Sequence, residues 1–238
     1  MSIITIEGRA GAGGPPLGRI VARTLDLDFL DRLAMAEIAR RVGATVEAVQ
    51  DTQRRTPTRT ERLAQLVQRM LERSSVAGSG GDPYFGPGIE TLMARPYRDM
   101  EDPPATTAQE LDERHFIDTT AEVIRDIAEG GNAVILSRGA GAILRDRPDV
   151  LRVCVLGKME DRARRIFERE HLPDMDAALE FVEHSDRAQA RYFEKAFETS
   201  PLDPFLYHVM WNTSEVSIEY AATMVTDAAR TMVERGLR

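Results

Sequence analysis

Ile3-Ile4-Thr5-Ile6-Glu7-Gly8-Arg9-Ala10-Gly11-Ala12-Gly13-Gly14-Pro15-Pro16-Leu17 is the stretch on which the reading of this chain turns. Ile3 to Ile6 is a short apolar run ending in the glycines, after which Leu17, Ile20, Val21 and Leu25 recur at helical spacing. The order is strand, glycine loop, helix. Pro15 and Pro16 suit the first helical turn, where a missing amide hydrogen costs little. Successive backbone N–H groups in such a loop, with a helix N-terminus behind them, form a concavity for phosphate oxygens. Glycine-rich strand-to-helix turns also occur for packing, so anion site and structural turn both stay open.

Two phosphate-binding patterns can be laid on the loop. The dinucleotide fingerprint G-x-G-x-x-G, started from Gly11 and Gly13, places its third glycine at Pro16 and fails. The pattern G-x-x-x-x-G-K-S/T fits from Gly8 to Gly13, but Gly14 then stands where lysine should be and Pro15 where the magnesium-binding hydroxyl should be. The only lysines are Lys158 and Lys195. Arg9 or Arg19 would have to supply the lost charge, although arginine is bulkier and less point-like.

Downstream, a brief strand at Asp28 to Leu30 leads into a helix near Leu33 to Val42. Between Gly43 and Thr107 the character changes. Thr58 and Glu61 have the spacing of a capping box, and Leu63, Leu66, Val67, Met70 and Leu71 fill one helical face. A long loop rich in Gly and Pro follows from Ser74 to Pro104, the kind of segment that is functional or mobile in a compact domain. A second capping-box spacing, Thr107 to Glu110, opens a helix that carries Phe116, Ile117, Thr120, Ala121, Val123, Ile124, Ile127 and Ala128 inward until Gly130-Gly131. Ala133 to Leu136, Val150 to Leu156 and Phe205 to Trp211 read as strands buried on both faces. Helices near Gly141 to Arg145, Glu160 to Glu170 and Ser217 to Arg235 separate or follow them. This alternation implies right-handed crossovers and a parallel sheet covered on both sides.

Composition narrows the function classes. With 238 residues, 42% hydrophobic and 29% charged, the chain can bury a proper core, which excludes disordered and fibrous classes. Thirty-one basic against 39 acidic residues give a formal charge of −8, so neither nucleic acid nor an anionic membrane is an expected partner. No apolar run reaches membrane-spanning length and no basic segment precedes an apolar one at the start; a cytoplasmic protein is expected. The single cysteine, Cys154, lies between valines and reads as a buried strand thiol, and the four histidines have no metal-ligand spacing, so no protein metal site is expected.

Two further constellations bear on chemistry. Ser137-Arg138-Gly139-Ala140-Gly141 follows a buried strand, at the carboxyl edge where such sheets bind ligands; Arg138 either projects into that crevice or caps a loop. Arg162, Arg165 and Arg169 form one helical stripe and Arg187, Arg191 and Lys195 another. Glu160, Asp161, Glu168 and Glu170 favour a solvated face for the first. The second, with Asp186 as its nearest acid, suits phosphate oxygens better.

In order and spacing, Ile4-Thr5-Ile6 running into Gly11-Ala12-Gly13-Gly14, Leu136-Ser137-Arg138-Gly139-Ala140, Glu160-Asp161-Arg162-Ala163-Arg164-Arg165, Asp186-Arg187 with Arg191, and Asn212-Thr213-Ser214 ahead of Ser217-Ile218-Glu219 resemble the cytidylate-kinase-like family. The resemblance covers nearly the whole chain except Gly43 to Thr107. It implies a single P-loop kinase-like domain over residues 1–238: a three-layer α/β/α fold with a parallel five-stranded sheet, a helical monophosphate-binding insertion at 43–107 and a lid at 171–204. It also implies a phosphotransferase that uses ATP and Mg²⁺ to phosphorylate a nucleoside monophosphate or similar small acceptor. The rival reading is a catalytically degenerate module that binds a nucleotide or an anion and regulates a partner. Carried over, Gly8, Arg9, Gly11, Ala12, Gly13 and Gly14 would hold the donor phosphates and Arg165 would lie against the base. Arg138 would face the acceptor phosphate, Arg169 would point to phosphate, and Arg187 and Arg191 would close over the transferring group. Ser137 stands where such kinases typically place a magnesium-organising aspartate.

Overall fold

The structure, a computed structural model, describes residues 2–31, 107–137 and 139–235. Strand β1 (Ile3–Gly8) runs into helix α1 (Gly14–Leu25) and strand β2 (Asp28–Leu30). Helix α2 (Thr107–Gly130), strand β3 (Ala133–Leu136), the short helix α3 (Ala140–Ile143) and strand β4 (Val150–Leu156) follow. Then come α4 (Met159–Glu170), α5 (Met175–Phe197), a 3₁₀ turn (Pro204–Leu206), β5 (Val209–Asn212) and α6 (Ile218–Arg235). The expected helix near 33–42, positions 43–106 with their expected helix and long loop, and Arg138 lie outside the described residues.

All five strands pair in parallel, in the order β2-β3-β1-β4-β5. This is the P-loop kinase-like arrangement, with β1 at the centre and helices on both faces. Ile4 and Ile6 of β1 pack with Leu17 and Val21 of α1 and Ala222, Val225 and Ala229 of α6. Ile3 turns to the opposite face, where Ile124 and Ile127 of α2, Leu144 and Val150 close a second cluster. Each fully buried aliphatic side chain contributes about 1.5–3 kcal/mol, which is why β1, buried on both faces, reads as a nearly unbroken apolar run. The same packing stations the carboxyl end of β1, and the glycine loop after it, mid-sheet. Among the described residues no helix is long and apolar enough to cross a membrane.

One boundary differs from the sequence reading. The last strand begins at Val209, because the Asp203 side chain accepts the Phe205 amide hydrogen at 2.9 Å and winds Pro204 to Leu206 into a turn, leaving Phe205 92% exposed. Residues assigned to a lid include one uninterrupted 23-residue helix, α5, started by the Asp174 side chain accepting from the Ala177 amide. Its first half packs on α4 through Ala178 and Val182. Its second half inserts Tyr192 and Phe193 beside Cys154 and Tyr207.

Candidate functional site: a glycine loop held by its carbonyls

The loop between β1 and α1 keeps a fixed shape for stereochemical reasons. Gly11 and Gly13 have φ of +78° and +91°, in the left-handed region where side chains are strained. A Cβ on Gly11 would also come within 2.3 Å of the Arg162 carbonyl oxygen.

Every carbonyl from Gly8 to Gly13 accepts a hydrogen bond. Gln189 of α5 donates to Gly8 O at 3.3 Å, the Ala12 amide to Arg9 O at 3.0 Å, and Arg162 of α4 to Ala10 O at 3.3 Å. Arg165 donates to Gly11 O at 3.1 Å, the Thr213 hydroxyl, shared with Leu156 O at 3.0 Å, to Ala12 O at 2.9 Å, and the Leu17 amide to Gly13 O at 3.1 Å. Six peptide planes are thereby oriented, five from α1, α4, α5 and the segment after β5 and one from within the loop, so the loop is braced rather than slack. Ala12 N–H is engaged and Pro15 and Pro16 have no N–H, so an anion in the concavity would draw on the remaining loop amides, those of Gly11, Gly13 and Gly14 among them.

Charge beside the loop centres on Asp186. Arg162 grips its carboxylate with two nitrogens, both at 2.9 Å, and Arg9 donates to it at 2.7 Å. Two guanidinium groups on one carboxylate leave a net positive charge next to Gly8–Gly11. The partners differ in access: the Arg162 side chain is 3% exposed, that of Arg9 30%. Arg9 Nε is buried and has no hydrogen-bond partner among the described residues.

Glu7, the last side chain before the loop, is buried at 3% exposure. Its Oε1 accepts the Gly141 amide hydrogen at 2.6 Å, and its Oε2 lies 3.0 Å from the Tyr207 hydroxyl, which in turn lies 2.8 Å from Pro201 O. Burial pushes the Glu7 carboxyl up to about 7, against the Gly141 amide, whose donated hydrogen bond lowers it. Cys154, across from Glu7 on β4, is pushed up to about 12 by burial and by that carboxyl, so it is an inert thiol.

The loop residues Gly8, Arg9, Gly11, Ala12, Gly13 and Gly14 and the side chain of Arg165 come together here. Arg165 spends its guanidinium on Gly11 O, on the Thr213 hydroxyl at 2.9 Å and on Thr213 O at 2.6 Å, holding loop and β5 terminus to α4. Arg162 departs from the solvated face expected of its stripe, because its partner Asp186 comes from another helix. Arg169 is exposed and pairs with Glu170 at 2.7 Å; Arg187 is exposed, 3.9 Å from Glu183; Arg191 is half-buried on α5. Arg19 lies 3.7 Å from Asp31 and over the Phe29 ring, and Lys158 pairs with Glu215 at 2.7 Å, so among the described residues Arg9 is a cation beside the loop that keeps part of its surface in solvent. Sequence reasoning did not single out Glu7, Tyr207 or Gln189, and it quoted Thr213 within a family motif without giving it a role. For Glu7 a signal existed: Thr5 and Glu7 alternate as polar residues on one face of an apolar central strand.

ATP asks for hydrogen-bond donors and positive charge, and Mg²⁺ for oxygen ligands. Left-handed glycines, the loop amides and the half-buried Arg9 suit phosphate oxygens. Among the described residues no group of three or more His, Cys, Asp or Glu could cage a metal ion. Mg²⁺ that arrives on phosphates keeps several waters and needs few protein ligands, so the set is compatible with it.

The sequence model of the cytidylate kinase-like family matches residues 3–215. Cytidylate kinase of Streptococcus thermophilus strain CNRZ 1066 is 24% identical over 243 residues, covering 98% of each chain. Cytidylate kinase of Streptococcus suis strain 05ZYH33 is 24% identical over 233 residues, again with 98% of each covered. In structure, an uncharacterized protein from Eubacterium ventriosum superimposes with a TM-score of 0.61 at 16% identity, covering 97% of this chain and 99% of that one, a likeness of fold.

Proposed function

The chain belongs to the cytidylate kinase-like family, and on that premise we propose that it is a cytoplasmic, nucleotide-dependent phosphotransferase that moves the γ-phosphate of ATP to a nucleoside monophosphate or similar small acceptor. The observation that carries this reading is the loop of six consecutive bonded carbonyls at the carboxyl end of the central strand, with a net positive arginine–aspartate cluster beside it. A braced loop meets phosphate oxygens without reorganising, which is the form of stabilisation phosphoryl transfer relies on.

In this account the amides of Gly11, Gly13 and Gly14 orient the donor phosphates, and Arg9 turns from Asp186 toward them in the role of the absent lysine. Arg162 stays on Asp186 and keeps that carboxylate from following. Arg138 faces the acceptor phosphate, and Arg187 and Arg191, on the helix assigned to the 171–204 lid, approach the transferring group. Arg169, at the end of α4, would have to leave Glu170 to join them. Arg165 keeps the loop in place at the side where the base would lie. Mg²⁺ would supply charge neutralisation on the phosphates when bound. Residues 43–107 are the proposed monophosphate-binding insertion.

A second reading is favoured by one particular feature. Pro15 and Pro16 remove two N–H groups from the helix end that would face the donor phosphates, and Gly14 supplies no charge. That fits a module that binds a nucleotide or a single anion and signals to a partner. ADP formation from ATP and Mg²⁺, screened across nucleoside monophosphates with CMP and dCMP first, separates the two. Acceptor-stimulated ADP release is the expected result. Nucleotide binding with no turnover on any acceptor would replace the kinase by the binding module.

A further inference from the structure

The segment behind the loop holds an arrangement the proposed chemistry does not use. The Tyr207 hydroxyl has one proton, yet two oxygens lie within hydrogen-bond distance of it: Pro201 O at 2.8 Å and Glu7 Oε2 at 3.0 Å. Pro201 O can only accept. If Tyr207 gives its proton there, the contact with Oε2 closes only when the carboxyl carries a proton of its own and donates it to the phenol oxygen. Oε1 meanwhile accepts from Gly141 N–H, a role it fills as the carbonyl oxygen of a neutral acid. We infer that Glu7 is kept as a neutral acid whose proton bridges to Tyr207, and that this bridge is the strut that fixes the root of the glycine loop to α3 and to the segment entering β5.

The surroundings agree. Among the described residues the groups near Glu7 are the Cys154 thiol from β4, the Tyr207 phenol, the Gly141 amide from α3 and, on the same strand face, the buried Thr5 hydroxyl. From α5 come the phenol of Tyr192 and Phe193, packed in the same cluster as Cys154 and Tyr207, and Ile117 of α2 joins them; β3 is Ala-Val-Ile-Leu and brings no titratable side chain. Arg9, whose charge reaches Cys154, is held on Asp186. Thus no described cation pairs with Glu7, and a proton is the remaining way to remove its charge from an apolar site. The space is tailored to the bridge: a Cβ on Gly141 would lie 3.3 Å from Glu7 Oε1 and 3.4 Å from the Tyr207 ring. Ionisation would replace a donated bond by two facing acceptors and loosen three segments at once, among them the Ser137–Gly141 stretch.

Glu7→Gln is the diagnostic variant, because its amide reproduces the neutral acid, accepting from Gly141 N–H through Oε1 and donating to Tyr207 through Nε2. Melting temperatures of wild type and variant without nucleotide, from pH 5 to 9, test the strut by itself. Wild type is expected to lose several degrees relative to Glu7→Gln as the pH rises, and parallel curves would overturn the proposal. An infrared spectrum of wild type carrying ¹³C-labelled glutamate covers a variant that fails to fold. A protonated glutamate carboxyl band at pH 6 that is gone by pH 9 supports the strut, and its absence at pH 6 refutes it. The functional consequence rests on the kinase reading: the melting shift produced by ATP and Mg²⁺ should shrink above neutral pH in wild type and hold in Glu7→Gln. If ATP shifts neither protein at any pH, the kinase reading fails and the first two measurements still decide the strut; an equal shrinkage in both proteins would limit Glu7 to a structural part.

Discussion

Glu7 and Asp186 flank the glycine loop, both largely out of water, and each removes its charge in a different way. Asp186 sits between two guanidinium groups, one from α4 and one from the loop itself. Glu7 has an amide, a phenol and a thiol around it and no described cation. The difference follows from where the elements come from. Asp186 lies where two helices and a loop meet at the rim of the sheet, and long arginine side chains reach it from neighbouring backbones. Glu7 lies within the central strand, where Tyr207, Cys154 and the backbone of α3 fill the space. A carboxyl at the rim can be neutralised by a partner that retains some exposure and so can exchange it for phosphate. A carboxyl in the sheet is neutralised by a proton and becomes a fixed support. One acid belongs to the part of the loop that responds to ligand, the other to the part that must not move.

The largest effect that would break this contrast comes from Asp186→Ala. It strands the Arg162 guanidinium, buried at 3% exposure, without its counter-charge, and should cost about 3–5 kcal/mol in denaturant unfolding. A loss under 1 kcal/mol would mean that Arg162 finds water or another acceptor and that the pair is not a support.

The pH dependence of Glu7 comes next. Its folded value of about 7 lies above the ordinary 4.5, so between those values the folded state holds a proton that the unfolded chain has released. The stability Glu7 contributes is therefore full below about pH 4.5 and is lost as the pH rises to about 7, a change of a few kcal/mol. Subtracting the Glu7→Gln curve isolates it, since all other titrating groups are common to both proteins. Asp186→Asn should leave that slope in place, because the two acids are neutralised independently.

The smallest effects sharpen the contrast at the exposed arginines. Arg9→Ala removes the more exposed of the two Asp186 partners and should change stability by only about 0–1 kcal/mol, since Arg162 still satisfies the carboxylate. Arg187→Ala and Arg169→Ala, whose pairs with Glu183 and Glu170 face solvent, should leave thermal unfolding within about 0.5 kcal/mol of wild type. A larger loss in any of these would assign that arginine to the scaffold instead of to a ligand.

Much of this was legible in the amino-acid order. The parallel sheet followed from apolar runs alternating with helical periodicity, because strands buried on both faces leave an unbroken signature. The glycine loop was legible because its φ values demand glycine at Gly11 and Gly13. The pairing of Arg162 was not: it sits among acids on its own helix and reads as surface, while its partner is 24 residues away on a different one. Periodicity describes one element at a time and carries nothing about which side chain of a second element will meet it. The start of β5 was misplaced for a local reason, Asp203 and Pro204 forming a turn inside a stretch whose apolar content alone reads as strand.

The central claim is that this loop receives phosphate with Arg9 as its cation, and ligand-dependent melting tests it most directly. A ligand that binds only the folded chain at about 100 times its dissociation constant adds roughly 2.7 kcal/mol. For a chain of this length that is a rise on the order of 5–10 °C. The account predicts such a rise for wild type in millimolar ATP and Mg²⁺ and a much smaller one for Arg9→Ala. No rise with any nucleotide, in a protein that is folded and carries Arg9, would contradict it.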